Sequence, residues 1–107
     1  MNDFNGLIVT GVVPQTVEID PSCHSAYIRF KDAKVHKTIT REKAGTIVAV
    51  DLDSNGQVIG VELVGVKEFS IRAMRQFLPE ELREMDFERA RFVPASEVPC
   101  QRSMQPV

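Results

Sequence analysis

The chain of 107 residues lacks tryptophan, has only two cysteines and contains no long apolar run. Its longest apolar runs, residues 7–9 and 47–50, are far shorter than the roughly 18 residues of a membrane-spanning helix. No charged start followed by an apolar stretch marks a secretory signal. Cys23 and Cys100 match neither the framework of a small secreted protein nor the paired spacing of a structural zinc site. These absences favour one small protein of the cytoplasm without a membrane partner.

The sequence also lacks an excess of charge of either sign, since 13 Lys and Arg face 15 Asp and Glu for a net charge of -2. Residues 67–107 use arginine for nearly all their positive charge, and a guanidinium fork suits carboxylate or phosphate better than lysine does. Acidic side chains are interleaved with these arginines, which favours a solvated surface that pairs with itself. Nucleic acid is therefore not the expected partner.

Alternating and β-branched residues predict strands through the first two thirds of the chain. Residues 7–13 form an apolar run closed by Pro14, which indicates an edge strand. Apolar residues alternate with polar ones on either side of a Pro-Ser break, at 17–20 and 26–30, which predicts two strands around a tight connection. A more exposed strand is expected over 35–41.

The clearest local pattern is a hairpin over residues 46–64, with Asn55-Gly56 between two β-branched runs. Asn-Gly is typical of a two-residue turn in which both central residues have positive φ. This turn places Val50 opposite Val61, which makes one face entirely apolar, whereas a three-residue turn would bury Glu62 in that face. The same register pairs Leu52 with Ile59, Val48 with Leu63, Asp51 with Gly60 and Ala49 with Glu62.

From Ser70 the period of the apolar residues changes to that of a helix. Ser70 suits the N-cap, and Pro79 ends this helix and suits the first turn of another. The expected fold is α+β: an antiparallel β-meander of about five strands packed with one or two short C-terminal helices. We expect a single domain over 1–93 and a mobile tail over 94–107. The expected apolar helix face comprises Ile71, Met74, Phe77 and Leu78.

Several short pieces in the middle of the chain form one pattern together. They are Asp20-Pro21, Ala26-Tyr27-Ile28-Arg29-Phe30, Val35, Thr38, Gly45-Thr46-Ile47-Val48, Asp51, Asp53, Gly56, Val58 and Gly60-Val61-Glu62-Leu63. Over about residues 17–66 this pattern resembles domain-of-unknown-function family 2283, a group of small prokaryotic proteins. The resemblance implies a small antiparallel sheet backed by helix and no established activity, and some relatives look like companions of small toxin-like proteins. The chain departs from the family where an Asp usually precedes the Ala-Leu-Tyr run, since it has Cys23-His24-Ser25 there.

The hairpin sequence also satisfies the calcium-loop template of the EF-hand through Asp51, Asp53, Asn55 and Glu62. Calcium takes six to eight oxygen ligands of this kind. A true EF-hand loop is flanked by helices, whereas β-branched runs flank this one, so turn-forming side chains are the favoured interpretation. A weak metal-binding or hydrolytic site at Asp51, Asp53 and Glu62 is the alternative hypothesis.

No other pattern predicts catalysis. Cys23 and His24 combine a thiol with an imidazole, but adjacent residues of an extended segment point to opposite sides. His36 could join them only through the fold, so a turn thiol and two surface histidines are favoured. Without a visible catalytic constellation we expect neither an enzyme nor a cofactor.

The favoured function is a non-catalytic protein-interaction module, in one form the neutralising partner of a small toxin-like protein. Tyr27 is expected either in the core, which is favoured, or in a partner interface, where tyrosine is enriched. Both faces of the strand 46–52 carry apolar groups, so pairing of two copies into a homodimer would cover both. The interface candidates are Tyr27, Arg72, Arg75, Phe87, Arg89, Arg91 and Phe92.

Overall fold

A computed structural model describes residues 13–83, 85–88 and 90–94 of the chain. A single turn of 3-10 helix at Pro21–Cys23 joins the first two strands. The strands are β1 (Thr16–Asp20), β2 (Ser25–Arg29), β3 (Lys37–Lys43), β4 (Thr46–Leu52), β5 (Val58–Val64) and β6 (Arg91–Pro94), and the helices α1 (Ile71–Arg75) and α2 (Glu80–Arg83) lie between β5 and β6.

The six strands form one mixed sheet in the order β3-β4-β5-β2-β1-β6. All neighbours are antiparallel except β1 and β6, which are parallel. The predicted α+β class is confirmed, but the pure antiparallel meander is wrong. β5 returns to pair with β2, and the chain then crosses through the two helices before β6 joins β1, because parallel neighbours require a crossover connection.

The core lies on one face of the sheet, between the strands and the two helices. Alternation along β4 sends Val48, Val50 and Leu52 into this core, while Ile47 stays 48% exposed. Leu82 of α2 is fully buried in the same cluster. The predicted helix face is confirmed, since Met74 and Leu78 are buried and Ile71 and Phe77 pack against them.

The predicted hairpin is present, but its turn differs from the prediction. Gly56 has a φ of 82°, whereas Asn55 does not have a positive φ, and the amide of Asp53 donates to the carbonyl of Gln57 across a three-residue loop. That loop alone would shift the pairing by one residue. An irregularity between Asp51 and Leu52 restores it. Val50 therefore faces Val61, Val48 faces Leu63, Ala49 faces Glu62 and Asp51 faces Gly60 as predicted, but Leu52 faces Val58 rather than Ile59.

The remaining predictions are met in part, since the strand expected over 35–41 is displaced by two residues, to Lys37–Lys43. The side chain of Ser70 accepts a hydrogen bond from the amide of Ala73 and caps α1. Of the predicted strand over 7–13, only Val13 is described, and it lies outside the strands. Of the predicted tail, only Pro94 is described, as the last residue of β6, and the rest lies outside the described residues. No helix within the described ranges is long and apolar enough to cross a membrane.

Candidate functional site

The sheet face opposite the core carries a row of polar contacts centred on Tyr27. The Tyr27 hydroxyl donates to Asp51 Oδ2 at 2.9 Å, and Thr38 Oγ1 donates to the other oxygen of Asp51 at 2.7 Å. On the other side, the Arg29 guanidinium lies 4.9 Å from the Tyr27 ring centroid and pairs with Glu18 at 2.8 Å. The Tyr27–Asp51 bond crosses β5 to join β2 with β4, and the other two polar contacts join neighbouring strands, so the row stabilises the sheet.

Tyr27 is only 7% exposed, so it is buried although it lies on the sheet face opposite the core. Gly60 on the neighbouring strand leaves space for the ring, because a Cβ at position 60 would lie within 3.0 Å of the Tyr27 ring. Tyr27 is therefore not accessible to a partner in this structure.

The Asp53 carboxylate accepts hydrogen bonds from its own turn and from Lys31. Its Oδ1 accepts from the backbone amides of Asn55 and Gln57 at 2.8 and 2.9 Å, and its Oδ2 accepts from the ammonium of Lys31. The hydrogen bond from Lys31, followed by those from the two amides, lowers the pKa of the Asp53 carboxyl below its ordinary value. These bonds match the favoured interpretation of the hairpin as a turn stabilised by its own side chains.

The four metal candidates do not converge on one point. Asp51 contacts Tyr27 and Thr38, whereas Asp53 contacts its turn and Lys31. Among residues 13–83, 85–88 and 90–94, no three His, Cys, Asp or Glu side chains are placed to hold a metal ion. Asn55 donates its backbone amide to Asp53, and Glu62 lies opposite Tyr27 and Ala49 on the outer sheet face.

Cys23 and His24 lie in the turn between β1 and β2. His24 has a φ of 51° and its carbonyl accepts from the amides of Gly65 and Val66, each at 2.8 Å. Cys23 is disulfide-bonded and so is not a free thiol. His36 is exposed and donates its backbone amide to the carbonyl of Leu52.

The most distinctive surface feature is a pocket of about 430 Å³ between β3 and α1, lined by several cationic side chains. No carboxylate is among the described residues that line it. We call it the basic pocket, and it is lined by Lys43, Ile71, Arg72, Arg75, Gln76 and Arg83.

Backbone carbonyls hold three of the four cations of the basic pocket. Lys43 Nζ donates to the carbonyl of Gln76 at 2.6 Å, and Arg83 Nε donates to that of Leu78 at 2.9 Å. Arg75 Nη2 donates to the carbonyl of Met85 at 3.2 Å. Carbonyl acceptors fix these side chains without neutralising them. Arg72, by contrast, is exposed at the rim.

None of the four cations forms an ion pair with another residue of the described chain. Elsewhere the protein does pair its cations, as Arg29 with Glu18 and Lys31 with Asp53 show. Partial burial, together with the positive charges of Arg83 and Arg41, lowers the pKa of Lys43 below its ordinary value. The basic pocket is thus a site of concentrated and unneutralised positive charge.

The structure separates the predicted interface residues into different environments. Arg72 and Arg75 line the basic pocket, and Phe87 is 5% exposed in the core. Arg91 and Phe92 are exposed on β6, at the opposite edge of the sheet from β3, which five strand spacings place about 24 Å away. Arg89 lies outside the described residues.

Sequence reasoning missed Lys43 and Arg83 as parts of the site. Lys43 ends an exposed strand, and Arg83 ends a one-turn helix among glutamates. Neither position carries a motif, so only their approach to α1 in the folded chain identifies them.

The described residues define a small α+β protein with a mixed six-stranded sheet and a cationic pocket on its surface. Residues 16–67, just under half of the chain, match the model of the family described as protein of unknown function (DUF2283). The match confirms the resemblance found over 17–66. The matched residues include β1 to β5 but not α1, α2 or β6. Three of the four pocket cations lie on α1 and α2 and are therefore outside the match. No curated protein and no solved structure gives a significant match.

Proposed function

We propose that this protein is a non-catalytic protein-interaction module that binds an acidic segment of a partner protein at the basic pocket. The observation that supports the proposal is the convergence of four cations, from β3, α1 and α2, on one pocket whose described lining residues include no carboxylate. A protein with a net charge of -2 has acidic side chains available to neutralise them. Leaving these cations unpaired costs stability, and a partner with acidic side chains offsets that cost.

The support for binding rather than catalysis comes from the uses of the acidic groups near the hairpin. Asp51 bonds Tyr27 and Thr38, and Asp53 bonds Lys31 and its own turn. Both carboxylates therefore have structural roles. The basic pocket itself is lined by cations, an isoleucine and a glutamine, which can orient and hold an anion.

The first experiment is affinity capture from the native host with the wild-type protein and two charge-reversal variants. Arg72→Glu changes an exposed cation of the pocket that forms no hydrogen bond or ion pair with another described residue. Lys37→Glu makes the same kind of change at the far end of β3, about 20 Å from Lys43. We expect a recurring protein partner that is lost with Arg72→Glu and kept with Lys37→Glu.

Salt gives an independent check, because the screening length falls from about 10 Å at 0.1 M to about 3 Å at 1 M ionic strength. Binding of the partner should weaken steeply over that range. A small toxin-like protein among the captured partners would make this module its neutralising partner. Capture of the same partner by wild type and Arg72→Glu would show that the basic pocket is not the interface.

A further inference from the structure

The basic pocket carries a more specific inference, which rests on the proposed function and names the chemistry of its ligand. We infer that the pocket binds a phosphate-monoester oxyanion, either on a phosphorylated side chain of the partner or on a small phosphorylated compound. The sources share one chemistry: two negative charges and three terminal oxygens on one phosphorus atom.

Arg75 is the residue that points most directly to an oxyanion. Its guanidinium lies 5.4 Å from the centroid of the Phe87 ring, and Nη2 donates to the carbonyl of Met85. These contacts fix the plane of the Arg75 guanidinium before a ligand binds, which reduces the conformational entropy lost on binding. Nε of Arg75 is buried without a hydrogen-bond partner among the described residues, and a buried donor without an acceptor is unfavourable. An anion in the pocket would place negative charge next to it.

The number of available donors favours phosphate over a single carboxylate. Arg83 uses Nε for the carbonyl of Leu78, which leaves its two terminal nitrogens available, and Lys43 uses one of three donors for Gln76. Arg72 adds a further fork at the rim. A carboxylate offers two oxygens and one charge, whereas a phosphate monoester offers three oxygens and up to two charges.

A flanking carboxylate restricts the shape of the anion on one side of the pocket. Glu68 lies with Arg72 along one neighbouring groove, whereas Glu80 lies with Arg41, Lys43 and Arg83 along another. An extended polyanion such as a nucleic-acid backbone would meet Glu68 on leaving the pocket through the first groove. A compact anion held within the pocket would not. The volume of about 430 Å³ lies within the range of small-ligand sites, roughly 300–1,000 Å³.

The test is calorimetric titration of the purified full chain with inorganic phosphate and with O-phosphoserine, using acetate as the monoanionic comparison. We expect both phosphates to bind at least tenfold more tightly than acetate. Because the second phosphate pKa is about 6, affinity should rise between pH 5.5 and pH 7.5. Equal affinity for phosphate and acetate, or no measurable phosphate binding, would overturn the inference.

Three variants locate the binding. Arg75→Lys keeps the charge but removes the fork, and should weaken phosphate binding at least about tenfold, as expected for loss of a charge-assisted hydrogen bond. Arg72→Met removes an exposed cation that has no hydrogen bond or ion pair within the described part of the chain, so it keeps the test valid if Arg75→Lys fails to fold. Lys37→Met, the control at the far end of β3, should stay within about twofold of wild type. Unchanged binding by both Arg72→Met and Arg75→Lys would contradict the inference.

Phosphatase treatment of the host lysate distinguishes a phosphorylated partner from a small phosphorylated compound. It also distinguishes failure of the phosphate inference from failure of the proposed interaction module. Loss of the captured partner after treatment assigns the phosphate to that partner. Phosphate binding without any captured partner supports the inference with a small phosphorylated compound and contradicts the interaction module. A partner that needs Arg72, resists phosphatase and is not displaced by phosphate contradicts the inference and leaves the interaction module standing.

Discussion

At the scale of single residues, Gly60 has no room for a side chain. A Cβ there would lie within 3.0 Å of three atoms of the Tyr27 side chain, which is buried and whose hydroxyl is hydrogen-bonded to Asp51. We expect Gly60→Ala to lower the free energy of unfolding by about 1–3 kcal/mol, the usual cost of overpacking. Urea denaturation measures this loss.

A double-mutant cycle separates this clash from an effect of alanine on the strand itself. In a Tyr27→Leu background the ring is gone, so Gly60→Ala should cost less than about 0.5 kcal/mol. The same cost in both backgrounds would show that the ring is not the cause.

Asp53 gives the second residue-scale prediction, through its lowered pKa. Because the folded-state pKa lies below the unfolded one, the carboxylate stabilises the fold fully above the ordinary value of 3.8, and this stabilisation is lost as pH falls through the folded-state pKa. Asp53→Asn should therefore be less stable than wild type at pH 6, with a smaller difference at pH 2.5. Urea midpoints at the two pH values test this.

The matched control is Asp32→Asn, because the Asp32 side chain is 90% exposed and its nearest cation contact is 3.8 Å long. We expect this variant to follow wild type at both pH values. A stability gap for Asp53→Asn that is equal at pH 6 and pH 2.5 would count against an ionised Asp53 as the stabilising species.

At the scale of elements, the hairpin turn offers a paired substitution. Gly56 has a φ of 82°, a region that costs other residues about 1–2 kcal/mol, whereas Asn55 has no positive φ and an exposed side chain. Gly56→Ala should lower stability by about 1 kcal/mol, and Asn55→Ala should change it by less than about 0.5 kcal/mol. Thermal unfolding of both variants is the measurement. Similar losses for the two would indicate the two-residue turn instead.

The same hairpin shows why local sequence predicts register better than turn geometry. The apolar face of Val48 and Val50 against Val61 and Leu63 tolerates only one register, so the pattern was sufficient to predict it. The Asn-Gly dipeptide fits two loop lengths, and a compensating irregularity beside Asp51 lets the longer one keep that register. Because the longer loop and the irregularity shift the register in opposite directions, the alternation of apolar and polar residues does not reveal either of them.

β6 was not predictable because its conformation depends on a distant neighbour. Residues 87–94 show no clear period, and β6 has four residues of which none is fully buried. Its strand character comes from pairing with β1, beginning with the amide of Arg91, which donates to the carbonyl of Gln15. By contrast, α1 was predictable because Ser70 and its apolar face are local signals.

At the scale of the whole molecule, the basic pocket combines residues that are up to 40 positions apart in the chain, from Lys43 to Arg83. The arginine bias of the last third indicated Arg72 and Arg75. The interleaved glutamates favoured self-pairing, and only the folded chain shows that these arginines meet Lys43 rather than a carboxylate. Charge counts along the sequence therefore could not decide between a surface that pairs with itself and a cationic binding site.

The homodimer stays a prediction and belongs to this scale. Ile47 projects from the outer face of β4 and is 48% exposed. Light scattering should give twice the monomer mass of 12.0 kDa for wild type, and the monomer mass for Ile47→Asp, which places a charge on that apolar face. Val35→Asp, at a similarly exposed residue outside the strands, is the control and should stay dimeric. A monomeric wild type would contradict the prediction.

The pairing of β6 with β1 has a consequence for synthesis on the ribosome. β1 ends at Asp20 and its parallel neighbour begins at Arg91, so β2 can pair with one edge of β1 long before β6 exists. At about 5–20 residues per second, translation of the intervening 70 or so residues takes roughly 4–14 s. During that interval the free edge of β1 can pair with another nascent chain. The growing polypeptide is therefore more prone to aggregation along this edge until β6 is made.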